Sequence, residues 1–152
     1  MKLLFVVTGI GYGHATRIDS IINEIKNRNK NCEIIIAGYK SSYSYFKGKY
    51  KLIKLHGVNY SSKSFNLNLF NLVRTNLNYP LNIRNDINLL CNFINKENPD
   101  LVIVDWEISG LIAASRCNKK SILIFNYDPE PLKDSIQKFK LRRTKIIQSK
   151  FV

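Results

Sequence analysis

The sequence predicts an α/β fold, a doubly wound parallel sheet of about six strands in a single domain. Three observations lead there. Short apolar, β-branched runs recur along the chain without polar alternation, as in strands covered on both faces. Between these runs, apolar residues fall at helical spacing. The length of 152 residues suits one core, since folding units hold roughly 100 to 200 residues.

The elements follow in order. Leu3 to Thr8 is a continuous apolar run cut by Gly9, a first buried strand. Ile18, Ile21, Ile22 and Ile25 then form one apolar stripe, which predicts a helix from about His14 to Asn29. Glu33 to Ala37, ended by Gly38, is a second strand, and Lys51 to Leu55 a third, with a short helix around Tyr43 to Phe46 between them. A loop from Gly57 to Ser64 leads into a long helical region broken by Pro80, whose later half lines up Ile83, Ile87, Leu90, Cys91 and Ile94. Asn98-Pro99-Asp100 is a stop signal. Leu101 to Val104 is the fourth strand, Ile108, Leu111, Ile112 and Ser115 mark a short helix, and Ser121 to Phe125 is the fifth strand. A helix near Leu132 to Phe139 and a strand near Lys145 to Ser149 complete the set. Such alternation implies a Rossmann-like sheet with right-handed crossovers and the common strand order 3-2-1-4-5-6.

Composition narrows the function. With 45% hydrophobic and 23% charged residues the chain is a globular protein rather than a disordered one. No apolar run approaches the roughly 20 residues of a membrane span, and no segment reads as a signal peptide. Cys32, Cys91 and Cys117 are odd in number and form no CxxC pair, so neither a disulfide framework nor a metal site is expected, and the cytoplasm is the expected location. The charge is uneven. Lys and Arg outnumber Asp and Glu by 24 to 11, giving +13. From Ile34 through Asn85 there are eight basic residues and no acid, and Lys138, Lys140, Arg142, Arg143, Lys145 and Lys150 form a second cluster. Such a surface suits an anionic membrane face or nucleic acid phosphates, or is simply a soluble basic surface.

The most informative segment joins the first strand to the first helix: Thr8-Gly9-Ile10-Gly11-Tyr12-Gly13-His14-Ala15-Thr16-Arg17. Glycines there let backbone N–H groups turn toward a ligand at a helix amino terminus, where the dipole favours negative charge. The dinucleotide fingerprint would need glycine at His14 and an acid closing the second strand, which ends Ala37-Gly38 instead. The phosphate loop of nucleotide hydrolases would need lysine after Gly13. Under the expected strand order this turn faces the end of strand four, Val104-Asp105-Trp106-Glu107, across the topological switch point. A histidine and a carboxylate meeting there can act as a base, the acid fixing one imidazole nitrogen. Helix capping by His14 and by Asp105 is the alternative reading of each.

The turn G-I-G-Y-G-H-A-T-R and the strand P-D-L-V-I-V-D resemble the G-x-G-x-G-H-x-x-R opening and P-D-x-x-x-x-D strand of GT-B glycosyltransferases, especially relatives of the lipid-linked N-acetylglucosaminyltransferases. The resemblance runs through strand five to the end of the chain. It implies that residues 1–152 form the amino-terminal, acceptor-binding half of such an enzyme, with the carboxy-terminal donor domain absent. By this similarity His14 is the base for the acceptor hydroxyl and Asp105 its orienting partner. Gly9, Gly11, Tyr12, Gly13, Arg17, Glu107 and Asn126 are the expected substrate contacts, with Arg17 either a phosphate contact or a surface residue. Asn126-Tyr127-Asp128 departs from the family, where an amide is followed by histidine or glutamine. The resemblance further implies a nucleotide-sugar donor, UDP-linked, as co-substrate, with no cofactor and no metal. The implied partners are a donor-binding domain in cis or on a second chain, a lipid-linked or polysaccharide acceptor, and the inner membrane face, where the protein sits peripherally. Alone, the chain is expected to be inactive or nearly so. Two other classes stay open: a non-enzymatic polyanion-binding module for membrane or nucleic acid, and a nucleotide- or sugar-phosphate-binding protein of another α/β type.

Overall fold

The computed structural model describes residues 1–58, 78–125 and 144–148. Along them run β1 (Lys2–Val7), α1 (Gly13–Arg28), β2 (Glu33–Gly38), α2 (Lys40–Phe46), β3 (Lys51–Lys54), α3 (Tyr79–Glu97), β4 (Leu101–Asp105), α4 (Ile108–Arg116), β5 (Ser121–Phe125) and β6 (Thr144–Gln148). The six strands form one sheet in the order β3-β2-β1-β4-β5-β6, and every pairing is parallel. This is the Rossmann-like arrangement that the sequence predicts. The helix near Leu132 to Phe139, Asn126 and most of the second basic cluster lie outside the described residues, as does the loop beyond Val58.

The unbroken apolar strands have a plain physical cause. Leu4, Val6, Ile35, Ala37, Val102 and Val104 face one side of the sheet and pack on Ile87, Leu90 and Ile94 of α3 and Ala113 and Ala114 of α4. Leu3, Phe5, Val7, Ile34, Ile36 and Ile103 face the other and meet Ala15, Ile18 and Ile22 of α1 and Phe46 of α2. Each Val, Leu, Ile or Phe among them, taken out of water, stabilises the fold by roughly 1.5 to 3 kcal/mol.

Two helix boundaries are sharper than periodicity alone predicts. Pro80 does not break α3: it stands in the first turn, where a missing N–H costs no hydrogen bond. At the other end Asn98 adopts φ 49 and returns its N–H to the Ile94 carbonyl, a left-handed stop completed by Pro99. In α2 the helix starts earlier than the aromatic residues suggest, because Ser42 Oγ accepts the Tyr39 N–H at 3.2 Å and seats the first turn.

The amino-terminal edge of the sheet is held by charge. Glu97, at the end of α3, accepts from Lys51 at 2.6 Å and from Lys2 at 2.9 Å. Hydrogen bonds from these two ammonium groups, Lys51 first, hold the Glu97 carboxyl down to about 2 from its ordinary 4.5. The depressed folded value makes this contribution complete above about pH 4.5 and lost as pH falls toward 2. Thermal melts should therefore show wild type above Glu97→Gln by a constant margin near neutrality, with the two curves converging between pH 4.5 and 2. A margin that persists at the acid end would exclude this cause.

Candidate functional site

The carboxyl edge of the sheet carries the chemistry. Val7 pairs with Asp105 in the register of β1 and β4, and the Thr8 N–H donates to the Asp105 carbonyl at 3.0 Å. The turn after β1 and the end of β4 therefore leave the sheet side by side, at the switch point where crossovers diverge and open α/β sheets bind ligands.

Within the turn the three glycines do different work. Gly9 is buried, and a Cβ there would stand 2.1 Å from the Tyr39 carbonyl oxygen and 2.6 Å from its ring. Gly9 is thus held close beneath Tyr39 by packing. Gly11 has φ +72, a left-handed backbone that favours glycine, and a Cβ on either Gly11 or Gly13 would meet nothing within 4 Å. Gly11, Tyr12 and Gly13 are exposed. Ser41 on α2 fixes the turn from below, its hydroxyl lying 2.8 and 2.6 Å from the Gly9 and Gly11 carbonyl oxygens. The first turn of α1 contains no acid, and its cap position, Tyr12, makes no side-chain cap bond. Peptide N–H groups thus begin a 16-residue helix whose own first turn carries no acidic residue.

His14 sits in that first turn and reaches Asp105, its Nδ1 lying 3.2 Å from Oδ1. Asp105 is fully buried and His14 19% exposed, so the acid is interior and the imidazole is partly open to solvent. Arg17, one turn along the same helix face, makes an ion pair with Asp105 Oδ1 and brings Nη2 within 3.0 Å of His14 Nδ1. With its proton on Nδ1 the imidazole donates to Asp105 and presents Nε2 as an acceptor. With the proton on Nε2, Nδ1 accepts from Arg17 instead. Arg17 is thus neither a bare surface residue nor, in this arrangement, aimed away from the protein. It is the counter-ion of a buried carboxylate, whose other oxygen, Oδ2, has no hydrogen-bond partner among the described residues.

Glu107 turns inward. It is 6% exposed, and its Oε1 accepts from Ser109 Oγ at 2.9 Å. Burial, the largest cause, pushes the Glu107 carboxyl up. Because the folded acid is raised, ionising it costs stability, and that cost grows as pH rises through its folded value. Glu107→Gln should therefore melt higher than wild type near neutral pH, by at least about 2 °C, with the gap closing toward pH 4 in calorimetric scans. A gap independent of pH would point to packing instead.

Sequence reasoning did not single out three neighbours on this edge. Tyr39 is 2% exposed and wedged between Gly9 and Gly57, its hydroxyl 2.9 Å from Thr8 Oγ1; burial drives that phenol up to about 12. Asp86 of α3 is 2% exposed and receives His56 Nδ1 at 2.7 Å, together with the His56 and Gly57 N–H groups. Both histidines of the chain thus rest Nδ1 on a buried aspartate. Trp106, between Asp105 and Glu107, is 38% exposed. Asn126 lies outside the described residues. Among the described residues no group of three or more His, Cys, Asp or Glu side chains is placed to hold a metal ion, and no helix is long and apolar enough to cross a membrane.

The sequence model described as glycosyl transferase family 1 matches residues 1–133. Comparison with curated proteins gives no match. Among solved structures, MurG of Acinetobacter baumannii superposes with a TM-score of 0.63 at 10% identity, over 99% of this chain and 43% of that one. CalG4, the calicheamicin glycosyltransferase, gives 0.59 at 14% identity over 90% and 36%. The spinosyn forosaminyltransferase SpnP gives 0.56 at 18% over 92% and 35%. These identities establish a shared fold, and the chain spans less than half the length of each structure.

Proposed function

The chain belongs to glycosyl transferase family 1 and has the fold of the amino-terminal part of a GT-B glycosyltransferase, and from that premise we propose that it is the acceptor-binding half of a sugar-nucleotide-dependent transferase. The donor-binding domain comes from further sequence or from a second chain. The reading is carried by one observation: His14, in the first turn of α1, is hydrogen-bonded to the buried Asp105 of β4 beside an exposed glycine turn.

In this reading His14 Nε2 takes the proton of an acceptor hydroxyl while the hydroxyl oxygen attacks the anomeric carbon of the donor sugar. The bond from that carbon to the nucleoside diphosphate breaks, and the diphosphate leaves with the electron pair. Asp105 holds the Nδ1 proton and balances the imidazolium that forms. Arg17 fixes the carboxylate against His14. The uncapped N–H groups at the start of α1 favour negative charge on the substrate. Lys40, Lys47 and Lys54 are exposed in the acid-free stretch, which supports a lipid-linked acceptor met at an anionic membrane face.

The test is reconstitution. Chain alone, chain joined to a GT-B donor-binding domain, and donor domain alone are assayed with UDP-linked sugars and lipid-linked or polysaccharide acceptors. Transfer is expected only from the joined protein. Equal transfer by the chain by itself would refute the division of labour.

A further inference from the structure

We propose that Trp106 is a stacking platform for a pyranose ring of the acceptor, a role that rests on reading this chain as the acceptor-binding half. Three independent features of the residue lead to it. First, its backbone has φ 55, a conformation that bulky L-residues avoid and that persists only where the surroundings impose it, most often at functional sites. Second, it remains 38% exposed, although burying an indole removes more apolar area from water than burying almost any other side chain. A glycine or asparagine would satisfy the turn without strain; the chain instead holds its single tryptophan there, partly exposed at the edge. Third, the ring is braced: it stacks on Phe125 with centroids 5.1 Å apart and planes 11° from parallel. Phe125 ends β5, and Asp105 pairs with Ile124 in the register of β4 and β5. The platform is therefore the next residue along the chain from the carboxylate that holds His14, on the same carboxyl edge.

The chemistry of the surface selects its ligand. An aromatic face carries partial negative charge, so it repels phosphate and attracts weakly positive C–H groups. A pyranose ring has one face of axial C–H groups of about the indole's own size, with its hydroxyls spread around the rim, where water or neighbouring polar groups can take them. A lipid chain would need no rigid flat surface.

Because Trp106 is the chain's one tryptophan, its emission reports on this position alone. Methyl hexopyranosides of the gluco, galacto, manno and 2-acetamido series, titrated into the whole chain to on the order of 100 mM, should give a saturable shift in that emission. Sorbitol, which has the hydroxyls without the ring, should not. Trp106→Gly, relieved of the positive φ, should melt within about 5 °C of wild type and yet bind the responding glycoside at least about tenfold more weakly by ligand-observed NMR. Trp106→Phe, still flat, should stay within about threefold. A missing or linear emission response, an equal response to sorbitol, or glycoside binding by Trp106→Gly within about twofold of wild type would each overturn the platform. None of these results touches transfer by the joined protein, so they leave the acceptor-half reading to its own test. Loss of transfer in reconstitution with the emission response intact would do the reverse.

Discussion

His14→Ala, in the chain joined to a donor-binding domain, is expected to lower sugar transfer by roughly two to four orders of magnitude, the span that a positioned general base contributes. Its melting temperature should stay within a few degrees of wild type. The reason lies in how the site divides its labour. Removing the imidazole leaves Asp105 still paired with Arg17, so no buried charge is stranded. Asp105→Asn should behave differently, because it removes the charge that both pairs with Arg17 and holds His14. Breaking a buried pair costs roughly 3 to 5 kcal/mol, and the 16% exposure of Arg17 favours the lower end. The asparagine variant should therefore lose both activity and stability, while the alanine variant loses activity with at most a few degrees of melting temperature. Steady-state transfer assays beside thermal melts separate the two. Wild-type turnover in His14→Ala would remove the base from this site.

Gly9→Ala should abolish folding or nearly so. Overpacking by a methyl group usually costs about 1 to 3 kcal/mol, but here the intruding Cβ meets a backbone carbonyl at 2.1 Å rather than a side chain that can swing aside. Nor can Tyr39 retreat: a Cβ at Gly57 would already lie 2.3 Å from its ring, so the tyrosine is closed in from both sides. A cost above about 3 kcal/mol is a large part of a total stability of roughly 5 to 15 kcal/mol. Gly13→Ala offers the contrast, since open space surrounds its Cβ position and no positive φ opposes it. Replacing that glycine in the first helical turn should leave the melting temperature equal or slightly raised, while placing a methyl group where a substrate would approach. Soluble yield and circular-dichroism melts of the two variants decide the matter; equal stability would mean that Gly9 is no tighter than Gly13.

The strands and their order were legible because parallel strands buried on both faces leave an unmistakable trace, and Leu3 to Val7 or Leu101 to Val104 cannot be read as amphipathic. Strand order then carried His14 to Asp105 across the sequence, and their contact follows from topology. What stayed hidden depends on side-chain direction. Arg17 lies three residues from His14 on a helix, a spacing equally suited to solvent, and only the depth of Asp105 turns it inward. Asp86 interrupts an apolar stripe and looks like a surface acid, yet its partners are the His56 imidazole and the His56 and Gly57 N–H groups, far away along the chain. Tyr39 is one of eight tyrosines, and what distinguishes it is a pair of glycines that no helical or strand period connects. The positive φ of Trp106 has no compositional sign at all.

The clamp of Lys2, Glu97 and Lys51 binds the sheet at the end remote from His14. That polarity gives the molecule a handle. Glu33, beside Lys2 on the same rim and half open to water, can be changed to cysteine as a coupling point, since Cys32 is buried and Cys91 and Cys117 are partly so. Protein tethered there to a sensor chip would stand with the carboxyl edge of its sheet facing the flow, so that candidate sugars, vesicles and donor domains could be passed over one oriented layer and ranked by how long each remains.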